Sequence, residues 1–188
     1  MDHEIATVVL AAGAGRRFGS IKQLATVEGR PMLERVLAAS AGLGDPQIVV
    51  LGAEEEAVAA LPIYAGWRLQ VAADWEAGPG ASLRAGLRAA PDAEAALIFL
   101  GDLPWLVPEA AERVLAAARE EPRAEAVRAF EGETPGHPVL VRGALLERAR
   151  EAPDRGLGGL LRGAAVLAVR CDGLGVAADV DHPVDLDR

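Results

Sequence analysis

Lys22 is the residue from which the chemistry of this chain can be read. Of its 19 basic residues, 18 are arginine and Lys22 is the single lysine. An ammonium is a compact, strongly hydrated point charge, whereas a guanidinium is a planar fork, so a position that keeps lysine in an arginine-rich chain points to a site that needs the point charge. Lys22 closes a glycine-rich loop, Ala11-Ala12-Gly13-Ala14-Gly15-Arg16-Arg17-Phe18-Gly19-Ser20-Ile21-Lys22-Gln23. Glycines after a strand let backbone N–H groups converge on phosphate oxygens. Two familiar phosphate loops do not fit. A dinucleotide fingerprint needs its third glycine one residue earlier than Gly19 and has no guanidinium groups among its glycines; the P-loop needs Gly-Lys-Ser/Thr. Backbone donors with Arg16, Arg17 and Lys22 instead suit a triphosphate from which pyrophosphate departs.

A second set of groups is acidic. Asp102 follows the apolar run Leu97-Ile98-Phe99-Leu100-Gly101, at the strand end where open α/β sheets bind ligands. A carboxylate facing phosphates there is a natural Mg²⁺ ligand, because Mg²⁺ takes one or two carboxylates and fills its shell with phosphate oxygens. The competing reading of Asp102 is a loop cap before Pro104. Asp179 and Asp181 fall at the end of a predicted short strand, and only one of them is expected to serve the site. Ser82 follows Gly78-Pro79-Gly80 at a helix start, where its hydroxyl has local uses. Trp75 reads as core that could also line a pocket, and His182 as a turn residue. His137, between Gly136 and Pro138, is placed in a tight turn, with a contact to an acceptor substrate weighed against a structural role. Glu54-Glu55-Glu56 reads as a helix start favoured by the macrodipole, and Cys171 as inert filler.

These residues need elements to hold them. Ala6–Ala11, Gln47–Leu51, Arg68–Ala72 and Ala95–Leu100 are short, nearly continuous apolar runs, as expected of strands buried on both faces of a parallel sheet. Amphipathic stretches at Pro31–Ser40, Glu54–Leu61, Ala81–Ala90 and Pro108–Glu121 alternate with them, two of them opened by proline at the first turn. The alternation predicts an α/β fold with a doubly wound, mostly parallel sheet. Beyond residue 120 the pattern predicts strands at Ala126–Phe130, Pro138–Val141, Val166–Arg170 and Gly175–Asp179. A helix at Gly143–Glu151 and a helical turn at Gly158–Arg162 complete a small mixed C-terminal extension of the same sheet. The run at 135–138 is expected to be a turn. No repeat or linker divides the chain, so residues 1–188 are expected to form a single domain.

Composition narrows the function. The formal net charge of −9 argues against nucleic acid or an anionic membrane as partner, and leaves room for a small anionic ligand at a local cluster of cations. One cysteine and three scattered histidines exclude a disulfide framework and a Cys- or His-rich metal cluster. The acidic start Met1-Asp2-His3-Glu4 is unlike a targeting peptide, and no run is long enough to span a membrane, so a cytoplasmic location is expected. Asn is absent, and Gln, Ser and Thr occur three times each. Such scarcity fits a heat-adapted source or a GC-rich genome.

Read from Leu10 to Leu24, L-A-A-G-x-G-x-R-F-G-x-x-K-Q-L resembles the signature of nucleotidyltransferases related to molybdenum cofactor cytidylyltransferase. Further segments are similar in order. Gly29-Arg30-Pro31-Met32-Leu33 resembles the family's G-x-P-x-L, and residues 75–87 resemble W-x-x-G-x-x-x-S-L-x-x-G-L. Gly101-Asp102-Leu103-Pro104 resembles G-D-x-P, Gly136-His137-Pro138-Val139-Leu140 matches G-H-P-V-L, and residues 179–185 resemble D-I-D-T-P-E-D. The resemblance implies a Rossmann-like nucleotidyltransferase fold and Mg²⁺-dependent transfer of CMP from CTP to the terminal phosphate of molybdopterin, with CTP favoured by Ala12 where the guanylyl branch tends to have glycine. It implies Lys22 on the α-phosphate and Arg16 with the N–H groups of Ala14 and Gly15 on the leaving pyrophosphate. It implies nucleotide contacts from Leu10, Ala11, Ala12, Gly13, Gly80, Ala81 and Ser82, and a metal held by Asp102 and Asp181, with Asp179 more structural. A molybdoenzyme is the protein partner it suggests. Leu103, Val184 and the stretch Asp154–Gly159 depart from the family pattern, which leaves another phosphorylated acceptor open. Guanylyl transfer, a sugar-phosphate nucleotidyltransferase, a non-catalytic nucleotide-binding module and an NAD-dependent oxidoreductase are the alternatives.

Overall fold

The computed structural model describes residues 5–151 and 156–187; Met1–Glu4, and Asp154 and Arg155 of the departing stretch, lie outside them. The elements in order are β1 (Ile5–Leu10), β2 (Thr26–Val27), β3 (Arg30–Pro31), α1 (Met32–Ser40), β4 (Gln47–Leu51), α2 (Glu55–Ala59), β5 (Arg68–Val71), α3 (Pro79–Arg88), β6 (Ala95–Leu100), α4 (Pro108–Glu120), β7 (Ala126–Glu131), β8 (Thr134–Arg142), α5 (Gly143–Arg150), α6 (Gly156–Leu161) and β9 (Val166–Arg170). Seven strands form one sheet in the order β5-β4-β1-β6-β8-β7-β9, and β2 and β3 make a separate small hairpin. β5, β4, β1 and β6 pair in parallel, as do β7 and β9, while β8 runs antiparallel to both of its neighbours. The sheet is doubly wound and mostly parallel, with the mixed C-terminal extension on the same sheet.

Side chains alternate across the strands and so build two cores. Val8, Ile48, Val50, Ala96 and Ile98 face one layer, where Leu83 and Leu87 of α3, Leu145 of α5 and Leu160 of α6 cover them. Val9, Val49, Leu51, Leu97 and Phe99 face the other, covered by Leu33 and Val36 of α1 and Ala110 and Val114 of α4. The continuous apolar runs of β1, β4 and β6 arise because both faces of each strand are covered.

Three expectations are corrected. β5 is not buried on both faces: it is an edge strand paired only with β4, and Leu69 and Val71 are 45% and 42% exposed. The 135–138 run is not a turn but part of β8. The hairpin turn lies earlier, at Gly132-Glu133, where Gly132 supplies φ +57°. Pro-Gly-His-Pro is absorbed by a shift in register between Arg128↔Val139 and Phe130↔Pro135, the irregular kind of strand position that tolerates proline. Residues 175–179 are not a strand either. They form a loop held by backbone contacts, with the His137 N–H donating to the Val176 carbonyl over 2.8 Å, so no strand pleat sets where Asp179 and Asp181 point.

α3 lies close on the sheet because residue 86 has no side chain. A Cβ there would stand 2.6 Å from Val8 Cγ1 and 2.9 Å from Val50 Cγ2, both rigid atoms of the core. In α6, a Cβ at Gly158 would meet nothing within 4 Å. The same substitution should therefore have opposite signs at the two positions. Gly158→Ala gains up to about 1 kcal/mol from helix propensity. Gly86→Ala makes that gain too but is outweighed by overpacking of about 1–3 kcal/mol. Urea denaturation of both variants against wild type checks the pair.

Candidate active site

β1 pairs with β4 on one side and with β6 on the other, so the chain reverses its direction of travel across the sheet at β1. That is the switch point at which open α/β sheets leave a crevice beyond their carboxyl ends. The loop after β1 and the Gly101-Asp102 corner after β6 both emerge there. They pack tightly: the Gly101 N–H donates to the Leu10 carbonyl over 2.8 Å, and a Cβ on Gly101 would stand 2.8 Å from Ala11 Cβ.

The crevice is an open cleft of about 540 Å³, a size that holds a small organic ligand. Its floor and one wall are Leu10, Ala12, Gly13, Ala14, Gly15 and Arg16. Lys22, Asp102 and Asp181 line it as well, as do Gly78, Pro79, Ser82 and Trp75. Ala11 lies behind the loop, in a small recess with Gln23 and Gly101. Gly80 and Ala81 sit in the buried first turn of α3, outside the lining, where the start of α6 packs so closely that a Cβ on Gly156 would meet the Gly80 nitrogen at 3.3 Å. Gly78, with φ +122°, holds the backbone conformation from which α3 begins.

The charged groups converge at Lys22. Its Nζ donates to Asp102 Oδ2 over 2.9 Å and to Asp181 Oδ1 over 3.3 Å. The Lys22 side chain is only 11% exposed. Arg17, which is largely exposed, pairs with Asp181 Oδ2 over 2.8 Å. Asp181 reaches the cleft because the Val180 N–H donates to the Asp102 carbonyl over 3.0 Å, while the Val180 side chain is buried with Phe18, Val27 and Met32. Asp179 is exposed, outside the cleft lining. The carboxylate of Asp185 steadies this turn, accepting from the N–H groups of Asp181 and His182 over 2.9 and 2.7 Å.

Asp102 Oδ1 is buried and has no hydrogen-bond partner. A desolvated carboxylate oxygen of this kind calls for a cation or another donor. No group of three or more His, Cys, Asp or Glu able to hold a metal occurs among the described residues. Two carboxylates beside a phosphate cradle fit Mg²⁺, whose remaining ligands would come from substrate phosphates and water.

One further feature of the site was not assigned from sequence. Gln23 is buried behind the loop, and its Nε2 donates to the carbonyls of Ala11 and Gly13 over 2.6 and 2.9 Å. Its signal was available, since it is one of three Gln in the chain. Trp75 both packs against the core and lines the cleft. Leu103, an apolar departure from the family pattern, is buried in the core beneath α4.

His137 is not brought to the cleft lining. Its Nδ1 lies 3.2 Å from the Ile98 carbonyl at the point where the β6–β8 ladder ends. Burial, helped by the nearby Arg128 guanidinium, lowers its pKa from 6.5 to about 4. The ring is therefore neutral at pH 7. Cys171 is fully buried, and its thiol is pushed up by that burial. No helix among the described residues is long and apolar enough to cross a membrane.

This sheet, with its glycine loop and paired carboxylates at the switch point, has the architecture of an α/β nucleotidyltransferase. The chain belongs to the MobA-like NTP transferase domain family, whose model matches residues 7–171. It is 37% identical over 122 residues to the bifunctional protein GlmU of Alkalilimnicola ehrlichii, a match covering 63% of this chain and 26% of that one. It is 38% identical over 124 residues to the molybdenum cofactor guanylyltransferase of Rhodobacter capsulatus, covering 61% of this chain and 59% of that one. The nicotine blue oxidoreductase of Paenarthrobacter nicotinovorans is 37% identical over 114 residues, covering 60% of this chain and 56% of that one. The matches thus span less than two thirds of these relatives. Among solved structures, Rv0371c of Mycobacterium tuberculosis superposes with a TM-score of 0.85 at 28% identity, covering 100% of this chain and 98% of that one. A manganese complex of Rv0371c gives 0.80 at 27% identity, covering 98% and 97%.

The His137 environment predicts a pH-dependent stability. The unfolded chain takes up the imidazole proton first as pH falls, so this contribution is complete above pH 6.5, declines between 6.5 and about 4, and is level below. The loss should amount to about 3 kcal/mol at most. Denaturant titrations at successive pH values should show the decline in wild type and a shallower one in His137→Asn.

Proposed function

We propose that this chain transfers a cytidylyl group from CTP to the terminal phosphate of molybdopterin and releases pyrophosphate. The observation that carries the reading is the single lysine held between Asp102 and Asp181 beside a glycine loop, in a cleft with room for a nucleotide. The cytidine preference rests on the resemblance of Leu10-Ala11-Ala12-Gly13 to the cytidylyl branch. The acceptor rests on the resemblance and on the relative named as a molybdenum cofactor guanylyltransferase.

In the proposed reaction an acceptor phosphate oxygen attacks the α-phosphorus in line, and the bond from that phosphorus to the pyrophosphate oxygen breaks. An acceptor that already carries an ionised phosphate needs no strong general base, so the work is positioning and charge stabilisation. Lys22 Nζ turns from the carboxylates to the α-phosphate, where negative charge builds up. Arg16, with the N–H groups of Ala14 and Gly15, holds the departing pyrophosphate. Asp102 and Asp181 would hold Mg²⁺, which neutralises phosphate charge when bound; the manganese complex of Rv0371c supports a divalent cation in proteins of this shape. Leu10, Ala11, Ala12, Gly13, Ser82 and the helix start at Gly80 and Ala81 would surround the nucleotide. His137, neutral and turned to Ile98, would act on the acceptor only through the shape of β8.

Guanylyl transfer is the second reading, favoured by the same Rhodobacter capsulatus relative. Calorimetry with CTP, GTP, ATP, UTP and NAD, each with and without Mg²⁺, separates them. CTP binding should strengthen with Mg²⁺ and lose that strengthening in Asp102→Ala. A preference for GTP moves the base and keeps the mechanism; absence of all nucleotide binding defeats the proposal. In turnover assays, Lys22→Ala should lower kcat by a factor of about 10² or more, with a smaller loss of CTP affinity. An unchanged kcat removes Lys22 from the chemistry.

A further inference from the structure

We infer that Gln23 is a positioning residue that aims two backbone N–H groups of the glycine loop at a triphosphate. The inference rests on the nucleotidyl-transfer reading above. Gln23 is not itself part of the cleft lining. It is buried beneath the loop, where one amide nitrogen donates to two carbonyls, Ala11 at 2.6 Å and Gly13 at 2.9 Å.

A trans peptide is planar, and its C=O and N–H point in opposite directions. The peptides that follow Ala11 and Gly13 are both trans. Gln23 draws their carbonyls inward, so the N–H groups of Ala12 and Ala14 are turned outward, toward the cleft that both residues line. The intervening carbonyl, that of Ala12, is taken up by the Ala53 N–H at 3.1 Å. Two alternate peptides of the loop, those after Ala11 and after Gly13, are thereby fixed with their donors turned away from Gln23 before any ligand arrives. A buried amide suits this role because it presents two N–H donors on one nitrogen. Lysine or arginine would bring a charge that the recess would have to desolvate, and a carboxylate would repel both carbonyls.

Geometry also ties this device to Lys22. The two residues are neighbours in the 3₁₀ turn Lys22–Leu24, so the turn that delivers the ammonium to one side of the cleft delivers the amide to the underside of the loop. Gly15, with φ +56°, makes room for that turn, since a Cβ there would stand 2.9 Å from Lys22 Cβ.

The test uses inorganic tripolyphosphate with Mg²⁺, which carries the group common to every nucleoside triphosphate, and the variants Gln23→Met and Gln23→Glu. Wild type should bind tripolyphosphate, and the amide resonances of Ala12 and Ala14 should shift on binding. Gln23→Met should bind it about tenfold or more weakly, as expected for the loss of two aimed donors, and Gln23→Glu more weakly still. CTP should follow with a raised KM and a kcat that falls much less than in Lys22→Ala. Equal affinity in wild type and Gln23→Met overturns the inference and leaves the nucleotidyl-transfer reading standing. Failure of wild type to bind tripolyphosphate defeats that reading first. Should the variants not fold, the wild-type amide shifts decide: an unmoved Ala12 and Ala14 pair overturns the inference.

Discussion

The site depends on one ammonium held between two carboxylates that are far apart in sequence. Lys22 meets Asp102 across 80 residues and Asp181 across 159. Each of the three is partly withdrawn from water, and the opposite charge beside it offsets part of the hydration it gives up. The arrangement also leaves Asp102 Oδ1 buried and without a hydrogen-bond partner among the described residues. The proposed reaction would give that oxygen a cation to hold.

The sheet supplies the rigidity that this requires. β1 and β6 lie side by side with both faces covered, so the loop after one and the corner after the other start from fixed points only a strand spacing apart. Small residues let them close: Gly101 lies against Ala11, and Gly86 brings α3 down on Val8 and Val50. The third member of the site arrives from outside the sheet. The 171–182 segment is tied to it by backbone bonds, from Cys171 to Phe130, from His137 to Val176 and from Val180 to Asp102. His137 belongs to this support, with its ring against Ile98 and its N–H on the returning segment.

Family membership and geometry meet at different levels of detail. Similar sequence over some 114–124 residues occurs in relatives bearing quite different names, and a scaffold by itself does not fix a function. In this chain Trp75, Glu76 and Ser82 are among the residues that line the cleft.

The local sequence determined much of this protein. Continuous apolar runs specified β1, β4 and β6, because burial on both faces leaves no polar positions. The glycines and the lone lysine marked the loop that lines the cleft, and the end of an apolar run located Asp102. Signals that depend on the surroundings were not legible. The run at 68–71 carries Arg68 and Gln70 between its apolar residues, yet it is its place at the sheet edge that leaves Leu69 and Val71 exposed. Pro-Gly-His-Pro has the composition of a turn, yet pairing with β7 carries it through a strand. The choice between Asp179 and Asp181 was made by Val180, whose buried side chain and bond to Asp102 turn Asp181 inward. Gln23 stood in plain view, but the two carbonyls that give it a purpose converge only once the loop is folded over it. Sequence records which groups a chain carries and how they alternate; which of them meet is decided when distant strands pack side by side, since that packing alone sets distance and desolvation.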